Sequence, residues 1–255
     1  LADLAIFEDL VEFAARDAVV GGKIAVRNGR LAIRIPRYRY PRAMRQSVHI
    51  KGLASEELIF TGIELKEVKV RAIQIVPNEI LTRSLEAVLR VENGRVCPDV
   101  ERDILHIAVV ERHGKNGGMG KGFVSGFGLR QGAIASTVSH DSHNLVVAGE
   151  NSGDMLAAVN AIKSIEGGLA VVSGGKVLAQ CRLEIAGLMT QRTVEEVSSN
   201  LKELHKEVKK LGCALESPFL TLSFLALPVI PELKLTDRGL VDVNQFKFVE
   251  VIVKS

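Results

Sequence analysis

Residues 136 to 149 read STVSHDSHNLVVAG, and His140, Asp141, Ser142, His143 and Asn144 fill five consecutive positions of a chain that has only six histidines. A histidine beside an aspartate is the pairing of an acid/base group and the carboxylate that orients it. Two histidines three positions apart would share one metal ion if they stood on a helix. Here residues 145–147 are Leu, Val and Val, which is strand-like sequence, and no third ligand lies nearby. The alternative to chemistry is a polar turn whose side chains satisfy backbone groups before a buried strand.

Two other stretches carry chemically suggestive residues. The first is GKNGGMGKGFVSGFGLRQGA, residues 114 to 133. A phosphate-cradling loop needs GxxxxGK followed by Ser or Thr, whereas Gly120-Lys121 is followed by Gly122, and no amphipathic helix comes next. The stretch therefore reads as a flexible or tightly turned loop close to a site. The second is PRYRYPRAMRQS, residues 36 to 47, where Arg37, Arg39, Arg42 and Arg45 crowd around Tyr38 and Tyr40. Rings between arginines suit single-stranded RNA. No second basic patch continues such a groove, so the stretch reads as a solvated linker, with no nucleic-acid partner expected.

These residues must be held by regular elements. ADLAIF and DAVVGGKIAVRNGRLAIRI read as short strands with turns at Gly21-Gly22 and Asn28-Gly29, since Asn-Gly supplies the positive φ of a tight hairpin. KEVKVRAIQIVP and DILHIAVVER read as further strands. NSGDMLAAVNAIKSIEGG reads as a helix capped by Ser152 or Asp154 and stopped by Gly167-Gly168. GLAVVSGGKVLAQCRLEI is a hairpin about Gly174-Gly175. The clearest helix starts at Thr193, which forms a capping box with Glu196. Its apolar face is Val194, Val197, Leu201, Leu204, Val208 and Leu211, with His205 at the edge and Gly212 as the stop. The segment from Pro218 to Pro231 is very apolar and is expected to be mostly buried in a core or an interface. The pattern is α+β or mixed α/β.

Composition narrows the class. The chain has 255 residues, is 47% hydrophobic and carries a net charge of +3. That length supports a large core and one or two domains. The charge gives no argument for a polyanionic partner. No apolar run approaches the roughly 20 residues that span a bilayer, so no membrane partner is expected. Cys97, Cys181 and Cys213 form no CxxC pair, and they read as small buried hydrophobes in a reducing, cytoplasmic setting. The chain opens on leucine and already strand-like sequence, as a piece of a longer polypeptide would.

Several long segments together carry a family resemblance. PDVERDILHIAVVERH at 98 to 113, GFVSGFGLRQGAIASTVSHDSHNLVVAG at 122 to 149, GGLAVV at 167 to 172, IAGLM at 185 to 189 and PFLTLSFLALPVIPELKLTDRGLVDV at 218 to 243 resemble adenine deaminase of the amidohydrolase superfamily. The resemblance implies hydrolysis of adenine to hypoxanthine and ammonia in purine salvage. It implies a divalent metal, manganese or iron with zinc as a third choice, in a (β/α)8 barrel, and a homo-oligomer. This sequence departs from that pattern in lacking an HxH ligand pair and an eight-fold strand–helix repeat. The barrel is therefore expected upstream. What remains is an α+β arrangement: a small β-sandwich segment with its linker at 1–48, then a mixed α/β C-terminal domain at 49–255. Within it, His140, Asp141, Ser142, His143 and Asn144 are the substrate-site candidates for adenine, with no catalytic or metal-binding residue assigned. The alternative is a barrel-free module for purine binding or assembly.

Overall fold

The structure is a computed structural model that describes residues 2–36 and 38–253. The chain forms two compact units, Leu1–Tyr40 and Pro41–Ser255. Arg37, one of the crowded arginines, lies outside the described residues.

The first unit is one antiparallel sheet of β1 (Leu4–Phe7), β2 (Ala15–Val20), β3 (Lys23–Arg27) and β4 (Arg30–Leu31) in sequence order. The turns fall at Gly21-Gly22 and at Asn28-Gly29, all four residues with positive φ, as the sequence requires. Ala25 is buried, but Leu4, Ile6, Val20, Ile24 and Leu31 are exposed. A single sheet without a second layer leaves apolar side chains in water in just this way.

The second unit opens with α1 (Arg42–Arg45) and a 3-10 turn at Ser55–Leu58. Its centre is a ten-stranded sheet. The strands are β5 (Glu67–Ile75), β6 (Thr82–Glu92), β7 (Arg95–Val96), β8 (Ile104–Val110), β9 (Met119–Ser125), β10 (Ala133–Ser136), β11 (Leu145–Gly149), β12 (Gly168–Ser173) and β13 (Lys176–Arg182). They lie in the order β13-β12-β10-β11-β8-β9-β5-β6-β7, with a short last strand beside β5. Among the described residues, only the β5–β9 pair is parallel.

The central strands β8, β10 and β11 are buried at every position because both faces of the sheet are covered. The period of two assigns the faces. Ala108, Val110, Ala133, Ala135, Leu145 and Val147 pack under α2 (Ser152–Ser164), with Met155, Ala158, Val159 and Ile162. Ile107, Val109, Ile134, Val146 and Ala148 pack the other way, against Leu204 and Val208 of α3 (Val194–Lys210) and Phe219 and Leu222 of α4 (Pro218–Phe224).

Most helix signals hold. Thr193 and Glu196 make the expected capping box. The stripe is narrower than its periodicity implies, because Val194 in the first turn is 80% exposed. His205 lies at the edge, its ring stacked on Phe219. For α2 the cap is neither Ser152 nor Asp154. It is Asn151, whose side chain accepts from Asp154 N. The Asp154 carboxylate is instead used by Gly174 N and Gly175 N of the β12–β13 turn, a tertiary demand that outweighs the local one.

The apolar segment after α3 is largely interior. Phe219, Leu222, Leu225 and Leu227 are buried, while Leu220 and Val229 face outward. It leads into a three-stranded sheet of β14 (Leu233–Thr236), β15 (Gly239–Asp242) and β16 (Lys247–Val249), before the last strand, β17 (Ile252–Val253). The glycine-rich stretch departs most from expectation. Much of it is β9, not a loop, and Gly120 lies directly beneath the β14–β15 turn.

One core residue gives the fold a pH response. His106 of β8 is 3% exposed, its ring lies beside Phe123, and its Nδ1 has no partner among the described residues. Burial pushes its pKa down to about 4. The unfolded chain takes up that proton near pH 6.5, so the folded state loses stability as pH falls from there towards about 4. The expected cost by pH 4.5 is on the order of 2–3 kcal/mol. Urea titrations of the parent and His106→Leu at pH 7.5 and 4.5 check this. The variant should lose less stability on acidification by that amount. Equal acid sensitivity would show that His106 contributes nothing.

Candidate functional site

The HDSHN loop joins β10 to β11 and is built from two sides. From within, Ser139 and His143 are tied in both directions: His143 N donates to Ser139 O at 2.6 Å, and Ser139 N donates to His143 Nδ1 at 3.2 Å. His143 takes a positive φ of 50° to close this turn. His140 N donates to Ser223 O at the end of α4, and the His140 ring lies 5.1 Å from that of Phe224 and 5.5 Å from that of His143.

From the segment just after β8 come the residues that hold the loop's backbone. Arg112 is 1% exposed. Its Nε donates to His143 O at 2.5 Å, one Nη to Ser47 O at 3.2 Å, and the other to Ala186 O at 2.9 Å. Burial brings its pKa down to about 10, which leaves it charged at neutral pH. Gly187 has no Cβ because one would stand 2.8 Å from that guanidinium. His113 Nε2 makes the neighbouring contact, 2.8 Å to Ser142 O. Glu111 completes the set by accepting the backbone N–H groups of His113, Lys115, Asn116 and Gly117. Burial works to raise its carboxyl pKa, and those N–H groups together hold it below the usual range.

The five candidates therefore divide. Asp141 and Ser142 are exposed, His140 and His143 are half-buried, and Asn144 is 3% exposed and faces the interior. Asn144 Oδ1 and the hydroxyl of Ser139 are buried without partners among the described residues. Clefts of about 400 and 300 Å³ are lined by other residues, the second including Phe224. The loop thus presents polar side chains outward from a rigid base. Arg112, His113 and Glu111 were not singled out in the sequence. Their signal is a run of three charged or polar residues directly after a strand with no exposed position.

No group of three His, Cys, Asp or Glu that could hold a metal occurs among the described residues. His140 and His143 do not make up the deficit, because His143 Nδ1 already accepts from Ser139 N and the His140 ring is packed on Phe224. The donor set of the described residues does not fit a divalent metal. Among the described residues, no helix is long and apolar enough to cross a membrane.

A mostly antiparallel sheet covered by helices, with a polar loop at one strand end, defines an α/β domain. Residues 79–247 match the family model for the adenine deaminase C-terminal domain. The chain belongs to that family. It is 45% identical to an adenine deaminase of Moorella thermoacetica and 44% identical to one of Methanococcoides burtonii, with 98% of this chain covered in each case. It is 47% identical to adenine deaminase 2 of Carboxydothermus hydrogenoformans. The chain spans about two fifths of the length of these relatives, 42 to 43%.

Proposed function

We propose that this chain is the C-terminal part of an enzyme that hydrolyses adenine to hypoxanthine and ammonia once joined to a metal-binding barrel, and that the HDSHN loop forms one wall of the adenine site. The observation that carries the reading is the match of nearly the whole chain to part of proteins named adenine deaminase. The divalent metal, manganese or iron before zinc, belongs in this reading to the barrel. The partners are adenine, the barrel and further copies of the same polypeptide, and the setting is cytoplasmic purine salvage. The exposed apolar residues of the first unit support assigning residues 1–48 to a β-sandwich that other strands complete.

In this reading the chain's own work is recognition. A purine edge offers ring nitrogens as acceptors and an amino group as donor. Asp141 and Ser142 accept from the amino group, and the half-buried imidazoles face the ring. Arg112 and His113 hold the carbonyls of His143 and Ser142, so the wall enters the site already ordered.

Two measurements test the proposal. The isolated chain, supplied with manganese, iron or zinc, should release no ammonia from adenine, and robust turnover would defeat the fragment reading. In the full-length enzyme, His140→Ala, Asp141→Ala and Ser142→Ala should each lower kcat/KM roughly 10- to 100-fold, with metal content and Tm unchanged, as expected for the loss of one hydrogen bond or ring contact at a desolvated site. Unchanged kinetics in all three would remove the loop from the site.

A further inference from the structure

We propose that His143 is fixed as its Nε2–H tautomer and acts as a specificity-determining donor to a ring-nitrogen lone pair of the purine, not as a base. This rests on the reading of the loop as part of the adenine site.

The argument begins with Ser139 N, 3.2 Å from His143 Nδ1. A backbone N–H only donates, so Nδ1 must be the unprotonated nitrogen of the ring. A neutral imidazole then carries its proton on Nε2. The ring is not free to turn over. His143 N is bonded to Ser139 O, His143 O to Arg112 Nε, and the preceding carbonyl, Ser142 O, to His113 Nε2. A flip would leave the Ser139 N–H without its acceptor while the backbone stayed in place.

Protonation would also cost that bond. The titratable groups that act electrostatically on the ring are the His140 imidazole, 5.5 Å away, the Arg112 guanidinium, His113 and the Asp141 carboxylate. Burial is the largest influence and lowers the pKa of His143; His140, Arg112 and His113 act in the same direction, and Asp141 alone opposes them. The neutral ring is the resting form at neutral pH.

Among the described residues no protein group bonds to Nε2, and it is not one of the buried unpartnered atoms. It is a donor left for something outside the loop. A protonated Nε2 cannot take a proton from water or bind a metal. It complements a ring nitrogen, which offers a lone pair, and does not complement the exocyclic amino group.

The first test uses the chain itself. Two-bond 1H–15N correlation spectra at pH 7.5, with His143→Gln to assign the signal, should show a protonated Nε2 and a pyridine-like Nδ1. An Nδ1–H signal, or an imidazolium, overturns the inference. The second uses the full-length enzyme, with adenine, 1-deaza-, 3-deaza- and 7-deazaadenine as competing ligands. One of the three analogues should bind at least about tenfold more weakly than adenine, as loss of one hydrogen bond predicts. That difference should shrink to about twofold in His143→Ala and persist in His143→Gln, whose amide still donates. Deaza penalties equal in the parent and both variants overturn the inference. If His140, Asp141 and Ser142 variants retain full kcat/KM while the tautomer is as assigned, the failure lies in placing the loop at the site. The purine contact falls with it.

Discussion

An Arg112→Met variant unfolds about 3–5 kcal/mol more readily than the parent and melts roughly 10 °C lower. The reason is the number of segments that the guanidinium joins. It reaches residue 47 before the sheet, residue 143 in the loop and residue 186 after β13, through backbone carbonyls that no other group serves among the described residues. Methionine matches the length and apolar stem of arginine but donates nothing. Each buried carbonyl left without a donor costs about 1–3 kcal/mol. Among the described residues no carboxylate is bonded to the charge buried in the parent, so its removal returns some desolvation energy; this keeps the estimate below a simple sum. Arg112→Lys should recover less than half of the loss, because one ammonium cannot span the fork. Thermal and urea unfolding at pH 7.5 measure both. A loss below about 1 kcal/mol for Arg112→Met would show that water replaces the guanidinium without penalty.

Gly120→Ala should cost about 3 kcal/mol or more, the upper end for overpacking. A Cβ at this position would stand 1.9 Å from Thr236 O and 3.1 Å from Gly239 N. Both obstacles are backbone, so no rotamer change relieves them and the β14–β15 hairpin must lift from β9. Gly52→Ala is the matched control, since a Cβ there meets nothing within 4 Å. It should be neutral or stabilise by up to about 1 kcal/mol through the unfolded chain. Equal stability of the two variants would show that the contact over Gly120 is not constraining. The comparison also bears on why this stretch is rich in glycine. At Gly120 the need is close passage of another strand, and phosphate binding is not required to explain it.

What could be read without a structure was local. Asn28-Gly29 and Gly174-Gly175 specify their turns because positive φ is cheap for those residues. Thr193 and Glu196 specify a helix start within four positions of one another. The strands around His106 and Val146 announce themselves by strongly apolar runs. The family was legible for a different reason: long ordered segments such as 122 to 149 and 218 to 243 match as whole strings.

The remainder depends on distance along the chain. Arg112 bonds to residues 31, 65 and 74 positions away, and no periodicity or capping rule encodes such partners. Asn151 caps α2 because the β12–β13 turn claims Asp154, and Gly120 is required because a hairpin more than a hundred residues later passes over it. The five residues of the HDSHN loop looked equivalent in sequence. Folding made them unequal, turning Asn144 inward, leaving Asp141 and Ser142 in water, and fixing the proton of His143 on Nε2. By itself the sequence determined many of the elements and the family, because those follow from neighbours. Which side chains of the loop turn outward and which turn inward was decided only when distant backbone groups met and had to be satisfied.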